Sequence, residues 1–155
     1  NDSVRLVEDI ENYGIPISSA DVTVLMKDCQ KRNDLKGAFR VEKIAHICKA
    51  PLMMNAYDAF LMLCVSHGNE YSFKLFEKLQ KVGTPSLGLC LGLIARCPES
   101  KFCRFADMMA NYLRKSNDMS IQAYIALMKV YASCGMYNKA CDLYGQIVKE
   151  GLQPD

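Results

Sequence analysis

Apolar residues recur along this chain at the 0, 3, 4, 7 spacing of a helix that buries one face. Val22, Leu25, Met26 and Cys29 follow it. So do Tyr57, Phe60, Leu61 and Cys64, then Leu87, Cys90, Leu91 and Ile94, then Tyr124, Leu127, Met128 and Tyr131. Each stretch is followed by a short polar or Gly-containing segment: KRND, HGNE, CPES and CGMY. Each of these segments leads into a second amphipathic stretch, the last placing Ala140, Leu143, Tyr144 and Ile147 on one face. The second stretches stop near KAPL, VGTP, SNDM and EGLQPD, where Gly, Pro or polar residues end a helix.

From Val22 to Tyr57 is 35 positions, then 30 to Leu87 and 37 to Tyr124. Helix pairs at a near-constant interval predict an all-α fold, an α-solenoid of stacked antiparallel pairs. One hairpin cannot bury both its faces, and stacking gives a continuous core. Small residues near the start of the second helices, Ala38, Ser72, Cys103 and Ala140, are expected to let the two helices of a pair approach closely. Residues 2–13 read as a lone second helix, followed by Gly14, Ile15 and Pro16 much as the last pair is followed by Gly151, Leu152 and Pro154. The expectation is a piece of a longer array, starting half-way through a unit.

Composition narrows the chemistry. The 155 residues carry a net charge of +2, which permits nucleic acid without demanding it. The best apolar run, AFLMLCV from Ala59, is far too short to span a membrane. The opening residues, with Glu8, Asp9 and Glu11, are neither a signal peptide nor a basic transit peptide. The eight cysteines form no CxxC pair, lie within helical patterns, and read as reduced core residues. Cys64 and His67 have ligand-like spacing, but no second pair completes a zinc site, and His46 reads as structural. No paired carboxylates, Ser/His/Asp set or phosphate-cradling glycine loop is present, so neither catalysis nor a cofactor is expected.

The segment from Ile121, IQAYIALMKVYASCGMYNKACDLYGQIVKEGLQPD, resembles a pentatricopeptide repeat without gaps. Tyr124, Leu127, Tyr131, Gly135, Ala140, Leu143, Tyr144, Gly151, Pro154 and Asp155 match the family pattern. The resemblance extends to repeats at 19–53, 54–83 and 121–155, a divergent one at 84–120 with Pro98 where Gly is usual, and a truncated one at 1–18. It implies binding of single-stranded RNA, about one base per repeat, read by two or three side chains. Carried over, the base-facing fifth positions are Thr23, Asp58, Gly88 and Ile125. The last positions are Met53, Asp118 and Asp155, and the second positions are Ala20, Asn55, Pro85 and Gln122. The thirteenth positions include Lys31 and Arg96 as phosphate contacts, and Lys27 and Lys129 share another place on the first helices.

Only Thr23 matches the hydrogen-bonding residue usual at the fifth place, so weak base specificity is implied. The expectation is a non-catalytic RNA-binding module in organelle RNA metabolism, in a mitochondrion or plastid. The alternative is a protein-interaction scaffold or a structural subunit of a ribosome or other large assembly.

Overall fold

A computed structural model describes residues 16–151. The expected helix at 2–13, and Asp155 with its base-facing role, lie outside the described residues. Within them the chain is all-helical: α1 Ser19–Lys31, α2 Leu35–Ile47, α3 Met54–Ser66, α4 Tyr71–Val82, α5 Leu87–Ser100, α6 Cys103–Lys115, α7 Ile121–Ser133 and α8 Tyr137–Glu150. None of these helices is long and apolar enough to cross a membrane.

Side chains set the helix starts. Ser18 accepts from the Asp21 N–H while Asp21 reaches back to the Ser18 N–H, a reciprocal cap for α1. Ser86 caps α5 through Leu89 N at 3.0 Å, and Ser120 caps α7 through Ala123 N at 3.2 Å. The junctions inside the pairs are set by the backbone. Asn33, Gly68, Lys101 and Gly135 each adopt a left-handed conformation, with φ of 56°, 65°, 51° and 76°. After three of them the next N–H reaches back across the turn: Asp34 to the Cys29 carbonyl, Phe102 to Cys97 and Met136 to Tyr131, at 2.9, 3.0 and 2.8 Å.

Two compact units share the described residues. The first takes 16–64 and 74–84, and the second takes 65–73 and 85–151. In the first, Val22, Met26, Ala38, Phe60, Leu75 and Phe76 are essentially fully buried. Phe39 meets Phe60 edge-on, with ring centroids 5.2 Å apart. Each such buried large side chain contributes about 1.5–3 kcal/mol. In the second, Leu93, Phe105, Met109, Tyr124 and Leu127 form the core, with Phe73, Phe102 and Phe105 in mutual contact. Arg104 lies over the Phe73 and Phe102 rings, at 5.7 and 5.9 Å, and pairs with Glu70. Cys29, Cys64, Cys90 and Cys97 are buried thiols. Burial pushes Cys64 and Cys97 up to about 12, so both stay protonated at neutral pH.

Four expectations are corrected by the packing. The first helices of the pairs begin at 19, 54, 87 and 121, intervals of 35, 33 and 34 residues. In α5 the fourth residue is therefore Cys90, and the buried face is Leu89, Cys90, Leu93, Ile94 and Cys97. Leu87 is 42% exposed, so the quartet beginning at Leu87 is one turn early. CPES is not a turn: Pro98 lies inside α5, and the chain reverses at Lys101. A proline so near the helix end removes a single backbone donor and leaves room for the helix to finish. The close-approach positions are Ala38, Ser72, Ala106 and Ala140, each buried and 34 residues from the next, so Ser72 stands where expected while Cys103, only half-buried, is one turn early. Tyr144 is 60% exposed rather than on the buried face of α8.

Ala106 is fully buried. Ala106→Leu should overpack the contact and cost about 1–3 kcal/mol, lowering Tm, while Cys141→Leu on the exposed side of α8 should leave it nearly unchanged. Equal Tm for the two variants would contradict this packing.

Candidate nucleic-acid interface

The first helices of the second unit, α5 and α7, pack side by side and leave a cleft of about 370 Å³ between them. It is lined by Ala95 and Pro98 of α5 and by Gln122, Ile125, Ala126 and Lys129 of α7. Helical spacing explains the set: 122, 125, 126 and 129 fall on one stripe of α7. The opposite stripe, Ala123, Tyr124, Leu127, Val130 and Tyr131, is the one the core buries. The cleft therefore has an apolar floor, an amide at one end and an ammonium at the other. Ile125 is 44% exposed, an aliphatic side chain held open to a ligand. Ala95 is exposed too, and its small side chain keeps the α5 wall low.

The α7 wall is braced from behind. Tyr131 donates its hydroxyl proton to Asp107 of α6, and Lys139 of α8 donates to the same carboxylate at 2.7 Å. The Lys139 ammonium also lies 4.6 Å from the centre of the Tyr131 ring. Burial, together with the Asp107 carboxylate, raises the Tyr131 phenol well above its ordinary value, so it remains a donor. Tyr124 donates to Glu150, with its oxygen 2.9 and 3.0 Å from the two carboxylate oxygens. These bonds tie both turns of α7 to its neighbours and fix how 122, 125 and 129 are presented.

Of the residues singled out in the sequence, Ile125, Gln122 and Lys129 meet at this cleft. The rest fall elsewhere. Thr23, Asp58 and Ile125 are each the fifth residue of their helix, but in α5 that place belongs to Leu91, and Gly88 is second. Lys31 is the thirteenth residue of α1, whereas the thirteenth of α5 is the exposed Glu99. Arg96 is tenth and half-buried, so the two cations do not occupy equivalent places. Pro85 precedes α5 and is buried. Met53 stands just before α3, 50% exposed, while Asp118 sits in the turn after α6 with its N–H on the Leu113 carbonyl at 2.8 Å.

In the first unit, Lys27 and Lys31 are exposed along α1, and Thr23 returns its hydroxyl to the Ser19 carbonyl at 2.9 Å. Asp58 Oδ1 on α3 is buried with no hydrogen-bond partner, and burial raises the carboxyl above its ordinary value. Sequence reasoning missed Ala95, Pro98 and Ala126, small or ring residues whose only signal was their failure to fit the buried stripe. Among the described residues no group of three or more His, Cys, Asp or Glu could hold a metal ion.

No family model matches this sequence, and no curated protein matches it. Among solved structures, the chain is similar to the crystal structure of the pentatricopeptide repeat protein PPR10 from maize, with a TM-score of 0.76 at 16% identity. The match covers 98% of this chain and 22% of that one. The fold is thus that of a pentatricopeptide α-solenoid, as the sequence resemblance implied.

The orphaned Asp58 oxygen gives a pH test. A carboxyl whose folded value is raised favours the fold while protonated, and that contribution is lost as pH rises through the folded value. Asp58→Asn should therefore raise Tm at neutral pH, and the gain should shrink as pH falls toward the ordinary carboxylate range. A loss of stability at neutral pH, or a gain independent of pH, would show that the carboxylate is satisfied.

Proposed function

We propose that this chain is a non-catalytic repeat module that binds single-stranded RNA along its first helices and discriminates weakly among bases. The observation that carries this is the α5–α7 cleft: an apolar floor of nucleobase character beside one amide and one ammonium. Ile125, Ala126 and Pro98 offer a sequence-tolerant surface for a base face, Gln122 offers one donor and one acceptor, and Lys129 offers a charge for a phosphate. An aliphatic floor has no hydrogen-bond code, which is the physical basis of weak specificity. Thr23, Asp58 and Gly88, with Met53, Asp118 and Asp155, remain base-facing candidates of the same kind, and Lys27, Lys31 and Arg96 remain phosphate candidates. Action in the RNA metabolism of a mitochondrion or plastid is proposed from the family resemblance alone.

A second reading, a protein-interaction scaffold, is favoured by the outer side of α8. Tyr137, Tyr144 and Val148 are 65%, 60% and 64% exposed there, spaced by seven and four residues along one side of the helix. Tyr144→Asp should then abolish association with protein while leaving RNA binding intact.

The RNA proposal is tested by salt titration. Lys129→Gln should weaken binding to all single-stranded sequences alike and make the log–log salt slope shallower by about 0.7, one phosphate contact. Ile125→Asn should introduce a preference among bases where the parent has little. Binding by Lys129→Gln that matches the parent at every salt concentration would overturn the assignment of this cleft.

A further inference from the structure

The densest positive charge among the described residues lies away from that cleft, on the second helices of the first unit. Residues 35–49 and 74–82 contain seven lysines and arginines against Glu42 and Glu77, although the whole chain nets only +2. In the second unit, α6 and α8 together hold five cations against three acids, and two of those cations are engaged with Glu70 and Asp107. The concentration is therefore local, not a property of second helices in general.

Geometry arranges it as an array. The Lys78 ammonium lies 3.7 Å from Glu42, which sets α4 beside α2. Packed helices stand about 8–10 Å apart. Lys74 and Lys81 are four residues before and three after Lys78, on the α4 face that meets Glu42. On α2, Lys43 stands about 100° round the helix from Glu42, on the exposed side, and Lys36 lies two turns earlier on the same line. Seven residues span about 10.5 Å of helix, so Lys36 with Lys43 and Lys74 with Lys81 form two rows of similar length. All four are exposed. Between the helices a cleft of about 360 Å³ adds His46 and Lys49 to the same surface.

The face offers many cations and few rings. Its exposed large apolar residues are Ile47 and Val82, both at helix ends, and its rings are the exposed His46 and the half-buried Tyr57, gathered in the one cleft. A protein partner would want a buried aromatic or aliphatic anchor at the centre of the contact. A single strand gains affinity by stacking successive bases, for which one imidazole and one half-buried phenol in a single cleft are a short platform beside two rows of lysines. A duplex hides its bases and presents two rows of phosphates, recognised by shape and backbone.

We infer that the α2–α4 face of the first unit is a second nucleic-acid surface, which takes the phosphate backbone of a double-stranded RNA segment without reading its sequence. This goes beyond the single-strand cleft and does not rest on it, since it uses other helices and other chemistry.

The test is fluorescence anisotropy with two blunt RNA duplexes of unrelated sequence, about 20 base pairs each, long enough for a shape-reading contact. The parent should bind both alike. Neutralising the array with Lys36→Gln, Lys43→Gln, Lys74→Gln and Lys81→Gln should make the log–log salt slope shallower by about 3–4, at roughly 0.9 per phosphate contact. Affinity at physiological salt should fall about tenfold or more. A control with the same change in charge, Lys31→Gln, Lys101→Gln, Lys115→Gln and Lys149→Gln, should keep most duplex binding. Lys129→Gln should keep all of it while weakening the single strand by its one phosphate contact, which separates failure of this surface from failure of the α5–α7 cleft. Circular dichroism establishes that each variant is folded. The inference is overturned if the parent ignores the duplexes at low salt, or if the two quadruple variants weaken equally. It is also overturned if polyglutamate displaces the duplex at equal charge, the outcome expected of a site for an acidic protein.

Discussion

The left-handed residue that closes the first helix of each pair is the constraint on which the rest of the structure depends. Asn33, Gly68, Lys101 and Gly135 turn the chain with φ between 51° and 76°. Moving that residue by one place would rotate every side chain after it by about 100° around the second helix. The bond from the N–H after the turn to the carbonyl five residues earlier locks its position in three of the four cases. In three pairs the residue five places after the turn is the point of close approach, and Ala38, Ala106 and Ala140 are small there; after Gly68 the fully buried Ser72, four places on, takes that position. Asn and Gly tolerate this conformation well, whereas Lys101 is held in it by its surroundings at a local cost.

That constraint explains what was legible in the sequence. In α1 the apolar stripe is one-sided, so spacing alone fixes its phase; α3 and α7 are apolar on more than one side, and there the aromatic residues Phe60 and Tyr124 mark the face that the core buries. In α5 the run LGLCLGLIARC is apolar or glycine on nearly every side, and two phases fit it. Pro98 then reads as a break, when it occupies the last turn of a helix that runs on to Ser100. The shifted start of α5 gives its fifth and thirteenth helix places to Leu91 and Glu99 rather than to Gly88 and Arg96. The α8 stripe fails at Tyr144 for another reason: an aromatic at helical spacing looks like core whether or not anything covers it.

The candidate sites differ in how they could be found. Ile125, Gln122 and Lys129 were visible through the family resemblance, because α7 has an unambiguous register. Their partners Ala95 and Pro98 were not, because a cleft between two helices is a tertiary property and small residues carry no chemistry of their own. The lysines of α2 and α4 stand in plain view in the sequence, yet only the Glu42–Lys78 pair shows that the two rows lie side by side. Apolar contact with one nearby ammonium suits a base and its phosphate, while rows of lysines interrupted only by Glu42 and Glu77 suit a backbone. Two units built from similar helices thus present different chemistry, set by which residues occupy their exposed stripes.

The central claim, that the exposed stripe of the first helices receives single-stranded RNA, is tested most directly by photo-crosslinking a 4-thiouridine-labelled strand to the protein and mapping the adducts by peptide mass spectrometry. The account predicts adducts within residues 95–98 and 122–129, the two walls of the α5–α7 cleft. Adducts confined to other helices, with those two segments unmodified, would contradict it.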